Sequence, residues 1–118
     1  MSDLSYPAVA QCLPVEGGAN LCLVVGCPRH GGLSLELYGL ENGLAGAPVR
    51  LSTTGALFDL TLPPRAPEED AYRWPMPLGL AATLKAESGV TLEVAGRGFR
   101  LPLTGSGAAI GGVEARCR

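Results

Sequence analysis

Apolar and polar residues alternate with period two along much of this chain, wherever Gly and Pro leave room for it. Leu33, Leu35 and Leu37 enclose Ser34 and Glu36, and Phe58, Leu60 and Leu62 enclose Asp59 and Thr61. That spacing puts one residue set on each face of a strand. The clearest unit is VTLEVAGRGFRLPL, Val90 to Leu103, where a two-residue Gly96-Arg97 loop predicts a type II′ hairpin. It sets Val94 opposite Phe99, Leu92 opposite Leu101 and Val90 opposite Leu103, with Glu93 opposite Arg100 on the other face. In VRLSTTGALFDL a Thr54-Gly55 loop pairs Leu51 with Phe58, Val49 with Leu60 and Arg50 with Asp59. In QCLPVEGGANLCLVV a Glu16-Gly17-Gly18 turn brings Cys12 opposite Cys22 and Leu13 opposite Leu21. Leu21 to Val25 is apolar on both faces, which predicts a strand with neighbours on each side.

Two segments leave this pattern. PLGLAATLKAESG opens with Pro77, closes at Ser88-Gly89 and carries Leu80 and Leu84 one turn apart, which predicts a short helix over Leu78 to Glu87. TGSGAAIGGVEARC offers Thr104 or Ser106 as a cap and spaces Ile110, Val113 and Cys117 along one face, a second helix weakened by Gly111 and Gly112. PPRAPEED, Pro63 to Asp70, suits neither element and reads as a surface loop. Together the elements predict a mainly β protein: an antiparallel β-sandwich or partly open barrel of about seven or eight strands with one or two short helices.

With 118 residues, the chain suits a single domain over 1–118, able to bury about 65% of its unfolded surface. The 17 Gly and 10 Pro agree with frequent turns between short strands. A net charge of −2 and a lone lysine, Lys85, leave no basic stripe, so nucleic acid is not an expected partner. No window approaches the ~18 apolar residues of a transmembrane helix, and MSDLSYPAVAQ has neither a charged n-region nor an apolar h-region. The four cysteines favour export to the periplasm or medium, with a signal peptide removed ahead of the chain as given; residence in the cytoplasm is the alternative.

CLVVGCPRH holds Cys22, Cys27 and the only histidine, His30. Zinc requires three or four converging ligands, usually from C-x2-4-C knuckles, and this spacing is a loose match. On a continuous strand Cys22 and Cys27 also face opposite ways. A redox C-x-x-C is absent, so the cysteines are read as structural. The first hairpin register selects one connectivity: Cys12 with Cys22, leaving Cys27 with Cys117.

The other candidates are thinner. GRGFR, Gly96 to Arg100, shares only glycines with a phosphate loop, and the hairpin accounts for them. GSGAAIGG, Gly105 to Gly112, contains no Lys or Arg, and its small residues suit close packing of a helix against the sheet. With one histidine and no G-x-S-x-G elbow, no catalytic residues, metal ligands or cofactor-binding residues are assigned and no cofactor is expected. AYRWPMP concentrates Tyr72, Arg73 and the sole tryptophan, Trp74, residue types that dominate binding hot spots. Tyr72, Trp74 and Met76 also alternate, as they would to roof a core.

The run from Trp74 to Ala115, about a third of the chain, resembles the C-terminal part of invasion-associated locus B type periplasmic proteins. The residues concerned are Pro77-Leu78-Gly79, then Phe99 to Leu103, then Gly105 to Ile110. The resemblance implies an exported, disulfide-bonded, all-β protein of Gram-negative bacteria with no cofactor or catalytic residues to carry over. Two functional expectations follow. The first is a non-enzymatic exported domain that binds another protein or an envelope component, through Tyr72, Arg73 and Trp74 beside the acidic loop Glu68-Glu69-Asp70. The second is a small metal-binding or Cys/His-dependent protein built on Cys22, Cys27 and His30. Nothing in the pattern sets an oligomeric state.

Overall fold

A computed structural model describes residues 8–14, 20–27, 32–66, 68–103 and 105–117. Eight strands run as β1 (Ala8–Pro14), β2 (Asn20–Gly26), β3 (Ser34–Tyr38), β4 (Pro48–Ser52), β5 (Leu57–Thr61), β6 (Ala71–Pro75), β7 (Gly89–Val94) and β8 (Arg97–Pro102). Helix α1 (Leu80–Ala86) lies between β6 and β7, and α2 (Ser106–Arg116) follows β8. The strands form two antiparallel four-stranded sheets, ordered β1-β2-β3-β6 and β5-β4-β7-β8. The mainly β expectation holds.

Each sheet presents alternate residues to the space between them, as strand geometry requires. Leu21, Leu23, Val25, Leu35, Leu37 and Tyr72 from the first sheet meet Val49, Leu51, Val90, Leu92, Val94 and Leu101 from the second. Leu80 and Leu84 of α1 and Ile110 of α2 close the same core. β2 has β1 on one side and β3 on the other, and Val24 is buried on its second face, as an all-apolar strand demands.

The Thr54-Gly55 hairpin has the register the alternation predicts, with Leu51 opposite Phe58 and Arg50 opposite Asp59. In the first hairpin Cys12 lies opposite Cys22 and Leu13 opposite Leu21, while its turn falls outside the described residues. The β7–β8 hairpin differs. Its loop is Ala95-Gly96, so Val94 faces Arg97, Leu92 faces Phe99 and Val90 faces Leu101. Glu93 consequently faces Gly98, and Arg100 faces Thr91. A register shift of two residues preserves every side chain's face, which is why the apolar pattern alone could not tell the two loops apart. Ala95 at φ 50° and Gly96 at φ 83° make a type I′ turn, whose twist matches that of the strands. Gly39, at φ 96°, is required twice over: an added Cβ would also lie 2.1 Å from the Asn20 carbonyl oxygen.

Both helices form where expected. α2 starts after Gly105 in a left-handed conformation with no side-chain cap bond; Thr104 and the Ser106 side chain, the expected caps, lie outside what the structure describes. Gly107 serves a helix–helix contact, since a Cβ there would stand 2.9 Å from the Lys85 carbonyl oxygen of α1, whereas a Cβ at Gly111 or Gly112 would meet open space. α2 thus packs on α1 and, as the sequence suggested, also on the sheet through β1 and β2. Two disulfides, Cys12–Cys22 and Cys27–Cys117, span sequence separations of 10 and 90 residues. On a chain-entropy account they contribute about 3 and about 4.5 kcal/mol respectively.

Ala95 occupies a position that costs an L-residue about 1 kcal/mol and that favours Asn before Gly. Ala95→Asn should therefore stabilise the protein by about 0.5–1 kcal/mol, seen as a higher urea midpoint at unchanged slope; an unchanged or lower midpoint would contradict the turn assignment.

Candidate functional site

Period two in AYRWP sends Tyr72 and Trp74 inward and Arg73 outward from β6, which pairs with β3 so that Glu36 faces Arg73 and Leu37 faces Tyr72. Tyr72, expected at a partner-binding surface, is instead 1% exposed. Its ring belongs to the core, and its hydroxyl donates to the Glu41 carbonyl at 2.8 Å and accepts from Leu44 N–H at 3.3 Å. The Arg65 guanidinium stands over its ring, 4.4 Å from the centroid, a cation–π contact. Arg65 also donates through Nε to Asn42 Oδ1 at 2.8 Å and through Nη2 to the same oxygen. This clip holds the PPRAPEED loop to the β3–β4 connection. Trp74 is half-buried and donates from Nε1 to the Thr61 carbonyl at 2.9 Å, tying β6 at the edge of one sheet to β5 at the edge of the other. Of the three expected residues, Arg73 and part of Trp74 reach solvent, beside exposed Glu68, Glu69 and Asp70.

Arg73 leads to a cluster that sequence reasoning missed. Its Nε donates to Glu36 Oε2 at 2.8 Å, and the Glu36 side chain is fully buried although it lies on the face of β3 away from the core. Tyr38 donates to Oε1 at 2.8 Å, and the Ser34 hydroxyl lies 3.1 Å from Oε2 and 3.3 Å from the Gly26 carbonyl. A buried carboxylate is stable only when charged or polar donors meet its oxygens, and here an arginine and two hydroxyls do so. The available signal was a Glu between Leu35 and Leu37, with Ser34 and Tyr38 at i−2 and i+2 on its own face.

An open cleft of about 790 Å³ lies where β1, β2 and β8 meet the β3–β4 connection, lined by Leu13, Pro14, Leu40, Arg97, Gly98 and Phe99 among others. At its edge Arg97 Nη2 contacts Glu41 Oε1 at 3.1 Å. A backbone hydrogen bond within Glu41 and the Arg97 donor hold its carboxyl below the usual carboxylate range. On the outer face of the second sheet Asp59 bonds Arg50 at 2.9 Å, and Glu93 flanks Arg50 from the other side. That pairing, Asp59 first, pushes the Arg50 guanidinium up.

The metal or Cys/His alternative meets a direct obstacle. Cys22 and Cys27 are both oxidised, to Cys12 and to Cys117, so neither is a thiolate able to ligate or attack. Arg29 and His30 lie outside the described residues. In GRGFR, Gly96 serves the hairpin turn and Gly98 sits in β8, a placement without the helix start that phosphate loops use.

No protein-family model matches this chain, and no curated protein does. Among solved structures, invasion associated protein B from Bartonella henselae is similar to it, with a TM-score of 0.67 at 18% identity, over 92% of this chain and 84% of that one. At this identity the likeness shows a shared fold. It extends along nearly the whole chain, well beyond the C-terminal third from Trp74 that the sequence had indicated.

Removing Arg73 leaves Glu36 buried with a charged donor lost. Arg73→Ala should destabilise the protein by about 2–3 kcal/mol, less than for a fully buried pair because Arg73 is 42% exposed; a loss under about 0.5 kcal/mol in urea unfolding would mean the pair is idle. Glu41 has the opposite exposure and a lowered folded pKa, so its contribution is present above its unfolded pKa and vanishes as pH falls through the folded value. Glu41→Gln should accordingly lower the urea midpoint near pH 7 and leave it unchanged once the pH has fallen below the folded value.

Proposed function

We propose that this chain is a single, exported, disulfide-stapled β domain that acts by binding another protein of the cell envelope and has no catalytic activity of its own. The observation that carries the reading is the pair of disulfides, because both join residues whose thiols would stay reduced in a cytoplasm poised by glutathione and thioredoxin. The fold shared with a protein described as invasion-associated agrees with it. So does the way the polar side chains are used: Glu36, Arg73, Ser34 and Tyr38 are engaged with one another, as are Lys85 with Glu114 and Arg50 with Asp59. No helix among the described residues is long and apolar enough to cross a membrane.

The proposed binding surface is Arg73 and the exposed part of Trp74, with Glu68, Glu69 and Asp70 beside them. Tyr72 supports it from below and touches no partner. Exposed polar loops on a rigid sheet suit recognition, since the scaffold fixes their positions at little entropic cost.

Fractionation with thiols blocked by a maleimide at lysis tests the location. The protein should appear in the periplasmic or extracellular fraction and take up label only after reduction. A cytoplasmic protein with labelled cysteines would overturn export. The surface is tested separately by cross-linking in intact envelopes: Glu68→Lys with Asp70→Lys should lose an adduct that wild type forms, and identical adduct patterns would remove this face from the proposal.

A further inference from the structure

The two disulfides sit in different surroundings, and we propose that Cys12–Cys22 is a site of thiol–disulfide exchange open to external thiols, whereas Cys27–Cys117 is a protected structural bond. Cys12 is exposed on β1, the outermost strand of its sheet, and Cys22 opposite it is half-buried. Cys27, by contrast, is 8% exposed, and its partner Cys117, half-buried like Cys22, fastens the end of α2 to the end of β2. Exchange requires a thiolate to reach one sulfur, and of the four cysteines Cys12 alone is exposed.

The hairpin itself also favours this assignment. β1 and β2 are paired at seven positions from Ala8–Gly26 to Pro14–Asn20, and Val9 and Leu13 on the inner face pack against the core. The strands therefore hold their register without the sulfur bridge. Opening Cys12–Cys22 leaves two thiols facing each other across a standing ladder, ready to close again. Opening Cys27–Cys117 releases a chain segment spanning 90 residues, a far larger change in the freedom of the unfolded chain.

The chemistry is a two-electron exchange with a thiol reductant. An external thiolate attacks the exposed Cys12 sulfur, forming a mixed disulfide there. The Cys12–Cys22 bond breaks and its electron pair leaves on Cys22, which takes a proton. A second thiolate then attacks the external sulfur of the mixed disulfide, releasing Cys12 as a thiolate that is protonated in turn. Two external thiols have become one disulfide, and the protein has gained two electrons and two protons.

Native protein incubated with reduced glutathione, quenched with iodoacetamide at intervals and mapped by mass spectrometry tests this. Alkylation at Cys12 and Cys22 should run at least about tenfold faster than at Cys27 and Cys117. The strand signal in circular dichroism should persist through that first step, and a glutathione adduct should be trapped at Cys12. Equal rates, earlier loss of Cys27–Cys117, loss of the strand signal with the first reduction, or no reduction before denaturation would each overturn the proposal. Cys12→Ser with Cys22→Ser should abolish the fast phase while the protein remains folded, and a fast phase surviving in that variant would place it elsewhere.

Discussion

Two sheets with one apolar face each have only one dry place to put it, and the mutual burial of those faces is the constraint on which the rest depends. Leu35 and Leu37 alternate toward Leu51, Leu92 and Val94 across the gap, and each such leucine removed would cost about 2–5 kcal/mol in transfer and cavity terms. The helices add Leu80, Leu84 and Ile110 to the same core, so they are placed by what they cover. That explains how α2 tolerates three internal glycines: tertiary packing supplies what intrinsic propensity lacks.

Closing the sandwich leaves a margin to be managed, because each sheet has two edge strands. The Trp74 bond to Thr61 bridges one pair of edges, β6 and β5. On the other side Leu13 of β1 and Phe99 of β8 line the open cleft. The aromatic residues are thus consumed in architecture, Tyr72 as a buried ring whose hydroxyl anchors the β3–β4 connection and Trp74 as a clasp. Residue types enriched at interfaces are equally suited to that work, since each pairs a large apolar body with one polar atom to satisfy.

Polar side chains follow the same economy. Glu36 is tolerated inside because Arg73, Tyr38 and Ser34 meet both its oxygens, and this also ties the β3–β6 register to a specific pair of residues, Glu36 opposite Arg73. A slip of one residue would move Glu36 into the leucine layer, a cost no sheet could offset. The buried cluster and the two disulfides add specific cross-links to a fold held mainly by apolar burial.

Alternation in the sequence determined which residues face the core, the number of strands within the expected range, the position of both helices and two of three hairpin registers. Those features are local, each set by neighbours two to ten residues away. The cysteine pairing was legible for the same reason, since one hairpin register placed Cys12 against Cys22 and left a single complement. Only the tertiary structure decided the rest. The β7–β8 loop settled on Ala95-Gly96, one of two registers of equal parity that alternation cannot separate. Arg73 found Glu36 across a strand pair formed by segments 37 residues apart, a contact no local pattern encodes. Tyr72 was drawn into the core, and Trp74 was tied by its Nε1 to the Thr61 carbonyl while keeping part of its ring in solvent, because the second sheet packs against β6.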